Sequence, residues 1–332
     1  MKTERLSVLI LVAWALCLLG FAALPGDPVP LRYPENWPAP AYDFSRNPLT
    51  RQGIELGRRL FYDPVLSRDS TVSCANCHLS FTAFTHVDHA LSHGIEDRVG
   101  RRNSPALMNL AWARHFMWDG AVTQLDFQAL APIEHPAEMD NTIRNVVQKL
   151  SATPEYVQMF EAAFGADGVT GERVLKALSQ FELTLVSADS KYDRVQRGVE
   201  QFTEMEQRGY RIFQKNCASC HAEPFFTHFG FEKNGLPADS TLGDKGRMGV
   251  TQDPADSLLF KVPTLRNIEF SQPYMHDGRF KKLREVLNHY AKNSVLKPGA
   301  ELGPDEKTEL LAFLLTLTDR SFLFNPDFSF PR

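Results

Sequence analysis

Hydrophobic residues recur at helical spacing over most of this chain, and no stretch alternates as a half-buried strand would. Thr50 opens a helix carrying Ile54, Leu56, Leu60 and Phe61, which should end near Pro64. Helical spacing returns over 141–164 and over 170–187, where Val174, Leu178, Phe181 and Leu185 share one face. Thr203 and Glu206 form a capping box that starts another helix. Leu283 to Tyr290 and Pro304 to Leu317 read as closing helices. Between these lie an irregular stretch at 79–104, a linker at 188–200 and a long polar loop at 230–257. Residues 25–48 carry repeated prolines and read as an extended arm that wraps the rest. The expected class is mainly α with little or no sheet.

Two short motifs interrupt these helices. Cys74, Cys77 and His78 form C-x-x-C-H, and Cys217, Cys220 and His221 form it again. This is the attachment pattern of a c-type haem: two thiols add to the porphyrin vinyl groups, and the following His is set beneath the iron as its axial ligand. A zinc site built from two C-x-x-C knuckles is the rival, but zinc ribbons bring the second pair within about 15–20 residues, and here it lies far beyond that. Two covalently bound haem c groups are therefore expected. Four of the five cysteines are used, which leaves no disulfide framework.

The fifth, Cys17, lies in an apolar run from Leu6 to Leu19 that follows Lys2 and Arg5 and precedes small residues at 20–23. Residues 1–24 read as a secretory signal, with an uncleaved N-terminal anchor as the alternative. Either places the folded part across a membrane, in the periplasm, where c-type haem is attached. A hydrophobic fraction of 43% and a net charge of −4 fit a globular protein and argue against a nucleic-acid partner.

The chain also repeats itself. Gly57, Leu60 and Phe61 before the first motif match Gly209, Ile212 and Phe213 before the second. Phe84-Thr85 matches Phe226-Thr227. Pro105, Leu107 and Asn109 match Pro263, Leu265 and Asn267, and at the same offset Asp119-Gly120 matches Asp277-Gly278 and Leu125 matches Leu283. The organisation is thus two tandem c-type cytochrome domains, 49–195 and 201–325, related by an internal repeat. In this alignment Met117 pairs with Met275, Trp118 with His276, Gln128 with Val286 and Pro132 with Tyr290. Proline has no donor for iron, whereas a tyrosine phenolate is an axial ligand. The first haem should keep an open face for a small oxidant, and the second can be capped and pass electrons. Gln128 and Glu138, found only in the first half, suit the positioning of a peroxide and the movement of its proton.

These residues, with the Gly100 to Pro105, Phe116 to Gly120 and Pro273 to Gly278 stretches, resemble the bacterial di-haem cytochrome c peroxidase and MauG-like family. The resemblance implies that His78 is the proximal ligand of the peroxide-reacting haem and His221 that of the electron-transfer haem. It implies that Trp118 lies between the haems and that Gln128 and Glu138 belong to the distal pocket. It also implies a calcium ion held by Asn103 and by backbone oxygens near Ser271 and Pro273. Tyr290, at the position where many peroxidases of the family carry Met, resembles the MauG-like branch, with Met275 and His276 as rival ligands. His86, His89 and His93 occupy the loop from which such peroxidases cap the resting first haem, and His93 is nearest the expected place. The expected activity is reduction of hydrogen peroxide to water, with electrons from a small cytochrome c or cupredoxin. The alternatives are a MauG-like oxidase that modifies a partner protein and a non-catalytic electron carrier. The family is often dimeric, so a homodimer is the oligomer to expect.

Overall fold

A computed structural model describes residues 26–292 and 302–331. The signal or anchor expected at 1–24, with Cys17, lies outside the described residues. Among these, no helix is long and apolar enough to cross a membrane.

The first half contains α1 (Arg51–Tyr62), the one-turn α2 (Cys74–Cys77), α3 (Leu130–Glu134), α4 (Ile143–Ser151), α5 (Pro154–Phe164) and α6 (Gly171–Thr184). The second contains α7 (Lys191–Gln196), α8 (Glu204–Asn216), α9 (Met248–Thr251), α10 (Leu283–Lys292), α11 (Pro304–Leu315) and α12 (Arg320–Leu323). Mainly α is correct. A short antiparallel pair, β1 (Phe231–Lys233) with β2 (Leu259–Lys261), is the sheet among the described residues, in the register Phe231 to Lys261.

α1 starts where Thr50 accepts a hydrogen bond from the Gly53 N–H, and it buries Gly53, Leu56, Gly57, Leu60 and Phe61 on one stripe. That stripe meets α6 at the backbone, because a Cβ on Gly57 would collide with the Ala177 carbonyl. The same contact recurs between α8 and α11, where a Cβ on Gly209 would collide with the Glu309 carbonyl. Each crossing is filled by three buried phenylalanines. Phe61 lies 5.3 Å from Phe181 and 5.8 Å from Phe84. Phe213 lies 5.1 Å from Phe313 and 5.4 Å from Phe226. Such pairs add about 0.5–1.5 kcal/mol each beyond the area they bury.

Three segments differ from the sequence expectation. The helix over 141–164 breaks at Thr153, because Pro154 cannot donate in mid-helix and holds Thr153 extended at φ −106°, ψ 107°. The 188–200 linker is locked in place. Ser190 and Asp193 cap α7 reciprocally, and Asp193 binds the fully buried Arg266 at 2.8 Å through both carboxylate oxygens. The 230–257 loop holds β1 and α9. The Pro-rich arm does wrap the body: Ala41 and Tyr42 donate to the Ala111 carbonyl, and Trp37 packs edge-on against Trp112 in one half and Phe225 in the other.

Gly57→Ala and Gly209→Ala are each expected to cost about 1–3 kcal/mol of stability through overpacking. Thermal unfolding checks this, with Gly249→Ala, where a Cβ meets nothing within 4 Å, as the unaffected control.

Candidate haem sites

Each motif positions its histidine in the same way. Ser73 and Asn76 cap the single turn of Cys74–Cys77, and His78 follows as the chain leaves it. The His78 Nδ1–H donates to the Phe84 carbonyl at 2.7 Å, with Phe84 held in the left-handed region at φ 58° so that this carbonyl turns inward. The His221 Nδ1–H likewise donates to the Phe226 carbonyl at 3.1 Å, with Phe226 at φ 54°. Burial pushes both imidazoles down to about 4, so they are neutral with the proton fixed on Nδ1. Nε2 is left as the lone-pair donor, the tautomer an axial ligand needs. Burial pushes the Cys77 thiol up to about 11 and the Cys217 thiol up to about 12. Among the described residues the two cysteine pairs do not converge. The cluster of ligand atoms that does form uses Cys220 with His228 and Glu232, from the second pair alone. The donor set therefore fits two separate haems and not a shared zinc.

An apolar cavity opens beside the second motif, lined by Cys217, Cys220, His221, Leu287, Met275 and Tyr290. Tyr290 thus reaches the second site. Burial, aided by the nearby Cys220 and Cys217 thiols, pushes its phenol up to about 12. The cavity continues to Trp118, Asn103, His276 and Lys261, where the halves meet. Here the Asn103 N–H donates to the His276 carbonyl and the Lys261 N–H donates to the Trp118 carbonyl, each at 2.7 Å. Residues 103 and 261 are twins under the offset that relates Trp118 to His276, so these two bonds are one contact made twice, crossed between halves. The Trp118 indole also donates to the Asn103 carbonyl at 2.8 Å. His276 stacks on Phe260 with ring centres 3.7 Å apart, and its Nδ1 is buried without a partner.

Glu138 sits with the first motif. Its backbone is pinned by the Ile95 N–H at 2.7 Å, and its carboxyl lies 3.5 Å from His135. Burial raises its pKa, partly offset by His135, and its charge in turn raises both Cys74 and Cys77. Gln128 lies with its Nε2 3.5 Å from the Met117 sulfur, one residue from Trp118. The counterpart of Tyr290, Pro132, lies within α3 and offers only its backbone carbonyl, which accepts from the Met139 N–H. The His93 ring is tied to Asp97 at 2.7 Å and packs against His89 at 4.2 Å, while its carbonyl is the group 3.5 Å from the Cys77 sulfur. Asn103 is buried, and its Nδ2 donates to the Ala90 carbonyl at 3.1 Å; Ser271 and Pro273 line the same cavity.

One buried group escaped the sequence reading. Glu182 on α6 is enclosed near Cys74 and Asp126, and burial followed by the Asp126 charge pushes it up to about 8. A glutamate in a helical pattern ordinarily marks a solvated face, so periodicity gave no signal.

Two haem-attachment motifs, each with an oriented imidazole in a helical frame, define an oxidoreductase of the di-haem c-type cytochrome class. Residues 51–201 match the family model described as di-haem cytochrome c peroxidase. The chain is 37% identical over 303 residues to methylamine utilization protein MauG of Methylorubrum extorquens, covering 86% of this chain and 82% of that protein. It is 35% identical over 282 residues to cytochrome c551 peroxidase of Nitrosomonas europaea, covering 83% and 82%. A MauG-like protein associated with microbial copper homeostasis superposes with a TM-score of 0.84 at 31% identity, covering 91% of this chain and 99% of that one. The chain belongs to the di-haem cytochrome c peroxidase and MauG family, whose cofactor is haem c.

Because the folded pKa of Glu182 lies above its unfolded value, the folded state holds the extra proton. Its contribution to stability is complete below pH 4.5 and is lost as pH rises through about 8. Chemical denaturation from pH 5 to 9 should show wild type losing stability relative to Glu182→Gln over that window.

Proposed function

We propose that the protein reduces hydrogen peroxide to water at the haem held by Cys74, Cys77 and His78, drawing electrons through the haem held by Cys217, Cys220 and His221. The observation that carries this reading is the inequality of the twin sites. Tyr290, which carries a phenol, lines the cavity beside the second motif, its counterpart Pro132 has no side-chain donor, and a half-buried carboxyl, Glu138, stands beside the first motif instead. The domains are taken as 49–195 and 201–325, with the mature protein in the periplasm.

Haem iron, when bound, supplies peroxide coordination and one-electron redox chemistry. The chain supplies the rest. His78 and His221 are the proximal ligands. Tyr290 caps the second site; Met275, which has a twin in Met117, is the weaker candidate. Glu138 takes the proton from the peroxide oxygen that stays and returns it to the one that departs, so that water leaves instead of hydroxide. Its raised pKa makes it a better base for this purpose than a solvated carboxylate. The Gln128 amide donates to the bound peroxide. Trp118, on the cavity between the halves, passes electrons. The balance is one peroxide, two protons and two electrons to two waters. A calcium ion suits the Asn103 side-chain oxygen with backbone oxygens near Ser271 and Pro273, since the buried amide spends only its N–H group on Ala90. His93, whose Nδ1 is held by Asp97, would offer its Nε2 to the first iron.

The relatives' names favour two outcomes. Cytochrome c551 peroxidase points to a small cytochrome as donor, and a cupredoxin would serve equally. MauG, together with Tyr290, favours a second reading in which the oxidising equivalents modify a partner protein.

Stopped-flow turnover of peroxide with reduced small cytochrome c tests the proposal. Fast oxidation of the donor is expected, and Glu138→Gln should lower turnover about 10²–10⁴-fold without changing haem content. Peroxide-dependent spectral change with no donor oxidation would favour the second reading.

A further inference from the structure

Lys261 is a cation that forms no ion pair among the described residues. It ends β2, its backbone N–H is committed to the Trp118 carbonyl, and the residue lines the cavity shared with Cys217, Cys220 and His221. Its side chain makes no hydrogen bond or ion pair among the described residues. The acids nearby are all engaged. Glu232, on the facing strand, lines the same cavity but is half-exposed, lies 3.3 Å from His228 and forms no ion pair with Lys261. Asp119 and Asp244 hold Arg102 at 2.7 and 2.6 Å, and Asp277 holds Arg279. Burial alone pushes the ammonium down to about 8, and no neighbour offsets it. A half-buried cation lining an apolar cavity is costly to leave unpaired, and an anion sharing its space offsets that cost. Its twin, Asn103, is neutral and faces the same cavity, so the charge is confined to the second half. A haem joined to the second motif through its vinyl groups would keep two propionates, carboxylates for which this cavity offers Lys261 as a counter-charge.

We propose that Lys261 is the counter-ion of a propionate on the haem held by Cys217, Cys220 and His221, fixing that haem against Trp118 and raising its reduction potential. A positive charge nearby favours the ferrous state, which carries one positive charge fewer, and the apolar cavity strengthens the effect. The proposal rests on haem attachment at the second motif and holds for either reaction considered above. Lys261 is a positioning residue, so its test reads a potential and not turnover.

Holoprotein carrying Lys261→Met, Lys261→Gln or Lys261→Arg is compared with wild type by redox titration followed by absorption and EPR, with haem content measured separately. In the Met and Gln variants the second haem's midpoint should shift to lower potential. Its ferrous-to-ferric ratio at fixed poise should then fall at least several-fold, on the order of the 1.4 kcal/mol that corresponds to tenfold. The first haem should stay unmoved, and the Arg variant should return towards wild type. Resonance Raman bands of propionate bending should shift in the same two variants. An unchanged second midpoint, or movement of the first haem alone, would overturn the proposal. Lost turnover with the potential shift intact would count against the peroxidase reading and leave this one standing.

Discussion

Two backbone hydrogen bonds crossed between the halves set the relation of the two haem sites. The Asn103 N–H reaches the His276 carbonyl, and the Lys261 N–H reaches the Trp118 carbonyl. Each aromatic ring is therefore hung from the opposite half. Trp118 is held a second time by its indole N–H on Asn103, and His276 by its stack on Phe260. Backbone hydrogen bonds of this kind specify position more than they add stability, since each nets only about 0.5–1.5 kcal/mol. Their value here is geometric. They tie Trp118 and His276 to chain segments downstream of the two C-x-x-C-H motifs, while the Gly57 and Gly209 crossings and their phenylalanine triads pack each half's helices.

Within this near-symmetric frame the chemistry is unequal, and the inequality is carried by few substitutions. Trp118 faces His276, Asn103 faces Lys261, and Pro132 stands where the other half has Tyr290. The first half adds Glu138 close to its cysteines; the second adds a phenol and an unmatched ammonium. Under the proposed reading the first site moves protons and the second holds charge. That division is what a reaction consuming protons at one iron and accepting electrons at another requires, whether the final acceptor is peroxide alone or a partner protein.

The haem motifs were legible because covalent attachment fixes their spacing, and the helices because α1, α6 and α8 keep long amphipathic stripes. The repeat was legible because Gly57 and Gly209 have no side-chain alternative at a backbone crossing. What escaped was decided by tertiary contact. β1 and β2 are three residues each, too short for alternation to register. The Lys191–Gln196 turn is polar and looks like linker until the buried Arg266 is placed on Asp193. Glu182 and Lys261 carry charges that sequence alone assigns to solvent, and only packing shows Glu182 buried and Lys261 half-buried on a cavity wall. The crossed bonds at 103 and 261 gave no signal, because backbone partners leave no mark on side-chain pattern.

The account depends on one iron being reachable and the other sealed. Low-temperature EPR of the resting diferric holoprotein measures this directly. A high-spin ferric signal beside a low-spin one, with the high-spin signal lost on adding peroxide, is the predicted result. Two low-spin signals that peroxide leaves unchanged in every redox state would contradict it and leave a conduit for electrons with no site for chemistry.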